Sequence, residues 1–462
     1  MFPLICLKVI AQPCEICYNL IMIKSTFKSF KKLSAMRERD FMPYNLLFII
    51  NIGLIVLAFT VEPAQGVWYG FSRIITSRSI LVTDYIAVGG VGAAFLNVGI
   101  VGIWVVSMLI RLGLKPGGAN IMAVWLSMGF AFFGKNVFNM IPLTMGVWLY
   151  SKYVKQPFSQ HYLGAILVAT VSPTISELAF IGTFTPWLSI PLGVLMGFAV
   201  GFIFPVIATE ALKTHSGFNL YNLGFAGGLV ATVLAAIYKN QGHNIIPAEL
   251  WSYGNNALLA GVLYGFALIM LLFGMFFDMT KKDSGHIGAV VGKAFRNFKQ
   301  IHGHSGRLVT DFYQLYRNSI YINMAVLCAF GTTLVLVLGE QLNGPVLAGI
   351  LTMTGFGALG KHMRNVVPVI AGTLLFDLVN NLDPSEPRNI VGVLFSTALA
   401  PIAGTFGWFW GVVAGFLHIN IVIYIGTMNE GLNLYNNGFA ASFVVLFLLP
   451  VISIFNKKKE KY

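Results

Sequence analysis

The stretch GFAFFGKNVFNMIPLTMG at 129–146 returns as GFGALGKHMRNVVPVIAG at 355–372, and both fit GFxxxGKxxxNxxPxxxG. A second stretch, GFNLYNLGFA at 217–226, returns as GLNLYNNGFA at 431–440 with eight of ten residues identical. Chance likeness between oily segments cannot give this, because Asn, Lys and other polar side chains are costly in lipid-facing sequence. The order between the motifs is kept too. Gly164 and Pro173 are echoed by Gly392 and Pro401, and Gly193-Val194 with Gly197-Phe198 by Gly411-Val412 with Gly415-Phe416. One unit is therefore used twice.

The surroundings of these motifs define their solvent. Of 462 residues, 56% are hydrophobic and 10% charged, with a mean hydropathy of +0.76. A soluble chain carries about 25% charged residues, so much of this surface must face lipid. The 49 glycines suit close helix contacts in a membrane. Apolar stretches long enough to span lie at 43–61, 84–110, 118–134, 136–152, 161–181, 187–212, 217–238 and 256–277, then at 319–338, 343–359, 362–380, 389–406, 408–427 and 431–455. The predicted fold is an all-α polytopic transmembrane bundle of about 12–14 segments. The segments 118–134, 161–181, 343–359 and 389–406 are short or interrupted by Gly and Pro, as re-entrant or broken helices are.

The expected organisation is an N-terminal extension at 1–42, a first repeat with an extra leading helix at 43–238, and a connecting helix with a basic loop at 239–318. A second repeat follows at 319–455 and a basic tail at 456–462. The net charge of +13 is gathered at Lys24 to Arg39, Lys281 to Arg317 and Lys457 to Lys461, beside apolar stretches. That is the positive-inside pattern of a multi-pass protein of the plasma membrane with cytoplasmic termini, and it argues against nucleic acid as partner. The basic segments suit contact with anionic lipid. With the N-terminus inside, an odd number of spans separates the copies, which predicts repeats inverted in the membrane. Residues 1–35 place their charges after an apolar core, the reverse of a signal peptide. They read as a dispensable extension or a misassigned start ahead of Met36.

Lys135, Asn139, Pro142 and Gly146 stand at i, i+4, i+7 and i+11, one stripe of a helix, and Lys361, Asn365, Pro368 and Gly372 repeat it. Such a stripe belongs in a cavity or a helix contact. Two readings stay open: the lysines and asparagines bind solute, or the lysines snorkel and the asparagines bond a neighbouring helix. In the second motif a helix is expected to begin at Gly217 and Gly431, with Asn219 and Asn222, and likewise Asn433 and Asn436, on one face. These asparagines with Tyr221 and Tyr435 either line a translocation site or form a shared capping signature. Pro142, Pro368, Pro173 and Pro401 are expected to break helices.

Glu177, whose counterpart is Thr405, is the candidate for ion or proton coupling. Asp84 and Asn97 are weaker candidates, and Glu210 and Glu430, just before the NLYN helices, are placed to cap or gate them. Both copies spell GxxxxGK, but Asn136 and His362 stand where a P-loop needs Ser or Thr, and no nucleotide is expected. Cys14 and Cys17 form one isolated CxxC beside Cys6 and Cys328, and His286, His302 and His304 lie in the basic loop. Neither set makes a metal site. No catalytic residue, metal or cofactor is expected.

At the NLYN and GK motifs the chain resembles a duplicated prokaryotic family of integral membrane proteins, domain of unknown function 1576, over roughly 43–455. The resemblance implies a membrane location and tandem repeats but no substrate. A fainter likeness to urea channels rests on Gly-Phe-Asn turns at half-helices; their proline-rich half-helix is missing, so it stands as analogy. The expected function is a transporter or channel for a small polar, anionic or carbonyl-bearing solute, through a cavity between the repeats. Lipid and solute are the expected partners, and a homo-oligomer stays open. The alternatives are an enzyme acting on a lipid-linked substrate and a non-transporting scaffold or sensor.

Overall fold

A computed structural model describes residues 38–182, 184–277, 287–383 and 385–457. The cysteines Cys6, Cys14 and Cys17, the extension at 1–35, His286 and the last five residues lie outside the described residues. The described chain is helical, joined by turns and short 3-10 segments. Before the first motif come α1 (Glu38–Val61), α2 (Ala64–Ile75) and α3 (Tyr85–Gly89). The first copy is α4 (Val91–Arg111), α5 (Gly118–Phe130), α6 (Val137–Tyr153), α7 (Tyr162–Leu167), α8 (Pro173–Phe180), α9 (Pro186–His215) and α10 (Asn222–Asn240). Then come α11 (Asn256–Phe276), α12 (Ile287–Ile301) and α13 (Phe312–Tyr316). The second copy is α14 (Ile320–Val337), α15 (Gly344–Gly355), α16 (Met363–Val379), α17 (Pro387–Ser396), α18 (Ala400–Phe406), α19 (Trp408–Met428) and α20 (Asn436–Lys457).

Among the described residues nine helical stretches are long and apolar enough to cross a membrane, and ten if α7 and α8, bent by 46°, form one span. The chain is a polytopic helical membrane protein. The stretches 118–134, 136–152, 343–359 and 362–380 form helices of 13, 17, 12 and 17 residues, shorter than those nine. Each copy folds two of them into short helices that meet at a break, α5 with α6 and α15 with α16. The start of α5 and the end of α6 share one face: Tyr162 donates to the Asn120 amide oxygen, and Tyr150 lies edge-on to His161 at 5.3 Å. The segment around Asp311 sits on the same face, where its carboxylate accepts the Gly118 N–H at 3.0 Å. We call this the loop face. Tyr44, near the start of α1, bonds Asn120 there, and Phe455, near the end of α20, packs on Trp410 at the start of α19.

The two breaks do not fall where proline was expected to place them. Pro142 and Pro368 lie inside α6 and α16. The chain breaks instead at 131–136 and 359–362, where Gly134 and Gly360 take φ of +81° and +99°, a backbone that side chains resist. Each proline removes one N–H from the second turn of its helix, and the helix continues through it. Pro173 and Pro401 stand in the first turn of α8 and α18, each after a 3-10 segment. The helices α10 and α20 begin at Asn222 and Asn436 rather than at Gly217 and Gly431, so Asn219 and Asn433 precede them.

Glycine sets the packing. A Cβ on Gly146 would strike Gly201 of α9, and one on Gly372 would strike Val412 and Phe416 of α19. Without a hydrophobic drive between helices in lipid, such close approach supplies dispersion contact. These contacts also correct the repeat register. Gly197 faces Pro142 as Gly411 faces Pro368, and Gly201 faces Leu143 as Gly415 faces Val369. The match is one helical turn from that drawn on Gly193 and Gly411, because α9 carries Gly at three successive turns.

The helices α5 and α15 lie side by side, antiparallel. Gly129 abuts Ala348, and at the matching positions Gly355 abuts Met122. Gly118 faces the Ala358 carbonyl, and Gly344 faces that of Phe132. The tip of α5 therefore lies by the start of α15, away from the loop face, and the tip of α15 lies near the loop face. There the His362 ring bonds the His304 carbonyl at 2.9 Å.

Candidate functional site

The asparagines of the GK motif close the breaks. The Asn139 carbonyl accepts the Asn136 N–H at 2.9 Å, and its amide donates to Gly134 O at 2.9 Å and Ser176 Oγ at 3.0 Å. Asn365 accepts the His362 N–H at 2.9 Å and donates to Gly360 O at 2.9 Å. From neighbouring helices Asn97 donates to the carbonyls of Ala131 and Lys135, and Asn323 to those of Gly357 and Lys361. Asn323 went unnoticed in the sequence. A break inside a membrane exposes backbone groups that must find partners, and these amides supply them.

The NLYN motifs join the halves. Asn219 accepts the Tyr221 N–H and donates to Gly438 O and Ser442 Oγ, all at 2.8 Å. Asn433 accepts from the Tyr435 N–H at 3.1 Å and Thr170 Oγ1 at 2.7 Å, and donates to Gly224 O at 3.2 Å. Asn222 meets His215 Nε2 at 2.8 Å, and Asn436 accepts from Asn429 at 2.6 Å. A further repeat escaped the sequence reading: LVTD at 81–84 recurs at 308–311. The Leu81 N–H donates to Gly431 O and the Leu308 N–H to Gly217 O, both at 3.0 Å. Asp311 binds the first N–H of α5. Asp84, held by Ser252 Oγ at 2.6 Å, lies against Gly344 at the start of α15. Each half thus braces the other.

Glu177 is buried and forms two bonds to Arg78, from Nε at 2.7 Å and from Nη2. Nothing in the sequence near Glu177 announces a partner 99 residues upstream. Glu210 lies on the surface with Lys213 at 2.6 Å.

Lys135 and Lys361 are both buried. Lys361 Nζ donates to Tyr221 Oη at 2.5 Å and Thr397 Oγ1 at 2.6 Å, 4.5 Å from the Tyr221 ring centroid. Lys135 Nζ donates to Ser127 Oγ at 3.0 Å and Ile166 O at 3.4 Å. Among the described residues neither forms an ion pair, and no three His, Cys, Asp or Glu side chains gather as a metal site requires.

Aromatic rings fill the space between the lysines. Phe130 stacks on Tyr435 at 3.8 Å, Phe356 lies 5.1 Å from Tyr221, and the two tyrosine rings are 6.0 Å apart. Phe395 touches Phe130, Tyr221 and Tyr435. Phe130 and Phe356 are the Phe of GFxxxGK, so the motif carried this signal at a position read as plain apolar.

Two cavities reach this cluster. One, of about 570 Å³, runs from His161 and Asp311 on the loop face to Tyr221, Tyr435 and Phe356. The other, of about 280 Å³, runs from Glu249 and Arg388 to Phe133, Phe395 and Leu434. Their walls correspond through the repeat: Ala119 with Pro345, Gly164 with Gly392, Thr209 with Ile423, Asn222 with Asn436. Glu249 and Arg388 are ion-paired across the narrower cavity, whereas Gln160 stands at the matching place in the wider one. Partial burial pushes the His161 imidazole below its usual range. At the other face, burial holds the Glu340 carboxyl above the usual carboxylate range, with Asp383 and Glu386 adding to the effect.

The family described as "Protein of unknown function (DUF1576)" matches residues 64–240 and 290–454, and the chain belongs to it. No curated protein matches the chain, and no solved structure does.

Proposed function

We propose that this member of that family is a transporter that exposes one central site alternately to the two membrane faces, and that its two copies are inverted repeats. The observation that carries this reading is the pair of cavities, lined by matching residues of the two copies and separated by the aromatic cluster. The reciprocal contacts of α5 and α15 are what a two-fold axis in the membrane plane would give. Two equal halves make the two access states near mirror-equivalents in energy, so one half can rock against the other. Here the wider cavity opens to the loop face. By the positive-inside rule that face, with both termini, is cytoplasmic in a plasma membrane.

The central site comprises Lys135, Lys361, Tyr221 and Tyr435, and the solute is small and anionic or carbonyl-bearing. Asn139, Asn365, Asn219, Asn222, Asn433 and Asn436 hold the breaks and the seam that shape it. Coupling through Glu177 would require its pair with Arg78 to open. Of Glu177, Glu210 and Asp84, the acids an enzymatic alternative would use, each is already engaged, by Arg78, Lys213 and Ser252 in turn.

The test is side-specific labelling in proteoliposomes, in a background with other reactive cysteines replaced. Thr209→Cys should react with an impermeant maleimide from the loop face and Ile423→Cys from the other. A transported solute should raise one rate while lowering the other. Simultaneous labelling of both, unaffected by any solute in a panel of acids, amides and ammonium ions, would overturn alternating access.

A further inference from the structure

The wide cavity ends against a chamber of about 10 Å³ walled by Lys135, Ser127, Phe130, Thr170 and Tyr435. Leu126, Leu167, Thr170 and Tyr435 line both spaces, so the chamber is the inner end of the cavity. Its size suits one water-sized group. Its chemistry is one-sided. An ammonium has three protons, and Lys135 places two of them on Ser127 and Ile166. Tyr435 is buried, and its hydroxyl has no hydrogen-bond partner.

The second copy explains the difference. There Lys361 is bonded to Tyr221 Oη and Thr397 Oγ1. The residue matching Thr397 is Ala169, which has no hydroxyl and itself lines the chamber. Each ammonium has two acceptors, but in the second copy one of them is the seam tyrosine, whereas Lys135 bonds Ser127 and Ile166 and leaves the matching tyrosine, Tyr435, without a partner.

We propose that Lys135 and Tyr435 bind the carboxylate of a small organic monoacid whose apolar body lies in the wide cavity. The proposal rests on the transport reading above and specifies its substrate. A carboxylate accepts and does not donate, which matches an unfinished set of donors. One negative charge balances one buried lysine, whereas a dianion would bring a second charge into low dielectric. A cation would need a carboxylate in the wall. The single one there, Asp311, is engaged by the N–H groups of Gly118 and Gln314. Met122, Leu126, Leu163, Leu212 and Phe356 would leave the hydroxyls of a sugar unpaired.

The full-length protein in nanodiscs is titrated calorimetrically with straight-chain carboxylates from acetate to octanoate, the matching primary amides and alkylammonium ions. The longer carboxylates should bind, and the amides and ammonium ions should bind at least about ten-fold more weakly. Lys135→Met should weaken carboxylate binding about ten-fold or more, and Lys135→Arg should restore part of it. Tyr435→Phe, which alters one atom and guards against misfolding, should weaken it about ten-fold. Amides binding as well as carboxylates, or both Lys135→Met and Tyr435→Phe binding undiminished, would overturn the proposal. Carboxylate binding that depends on Lys135 without flux in proteoliposomes would keep the anion site and remove the transport reading. Flux of an amine or polyol indifferent to Lys135→Met would do the reverse.

Discussion

The asparagines illustrate how a polar residue inside a membrane can be structural. Asn139 has its carbonyl and both amide protons engaged within the fold, so it has no donor left for a solute. Asn139→Ala should leave the buried Asn136 N–H unpaired, while Gly134 O keeps its bond from Ser172 Oγ; the loss, about 1–3 kcal/mol, should lower the unfolding midpoint in detergent. A variant that keeps its midpoint but loses solute binding would return Asn139 to the binding site. The Arg78–Glu177 pair is unequal, because the Arg78 side chain is 37% exposed and that of Glu177 is 0% exposed. Glu177→Gln leaves an arginine that water can serve, and should cost about 1 kcal/mol or less. Arg78→Gln strands a buried carboxylate, and should cost about 3 kcal/mol or more. Equal midpoints for the two variants in thermal unfolding would contradict this.

At the scale of elements, the helix pairs α6 with α9 and α16 with α19 depend on glycine. Gly146→Leu would push a side chain into Gly201 and its neighbours, and should abolish a monodisperse elution profile in detergent. The Glu249–Arg388 pair ties the loop after α10 to the first turn of α17 across the narrower cavity. Exposed pairs contribute about 0–1 kcal/mol, so Arg388→Gln should raise labelling of Ile423→Cys by no more than several-fold. An unchanged rate would mean that the pair does not bar that cavity. The short helices were partly legible. Their lengths marked them as half-spans, but proline was credited with breaks that glycine makes: the helices run through Pro142 and Pro368, and the chain turns at the positive φ of Gly134 and Gly360.

For the whole molecule, the inverted-repeat reading makes a prediction about exchange. In the other access state Lys135 should close on Tyr435 as Lys361 now closes on Tyr221. Tyr221→Phe removes a bond held in the present state and should favour opening to the face away from the loops. Tyr435→Phe should favour the present state. The labelling rates of Thr209→Cys and Ile423→Cys should therefore move in opposite directions in the two variants, and parallel changes would refute the exchange.

The sequence by itself determined the solvent, the helical class and the duplication, because hydropathy and matched polar positions are local properties written in one dimension. It also marked most of the central residues, from the GK lysines to the NLYN tyrosines. The tertiary structure alone decided their partners: Arg78 for Glu177, Thr397 and Tyr221 for Lys361, Ser127 and Ile166 for Lys135, and none for the Tyr435 hydroxyl. It also decided the true register of the repeat, since glycines at successive turns match equally well on paper and only packing distinguishes them. Hydrogen bonds and cavities join residues hundreds of positions apart, and their geometry exists only once the two copies have folded against each other.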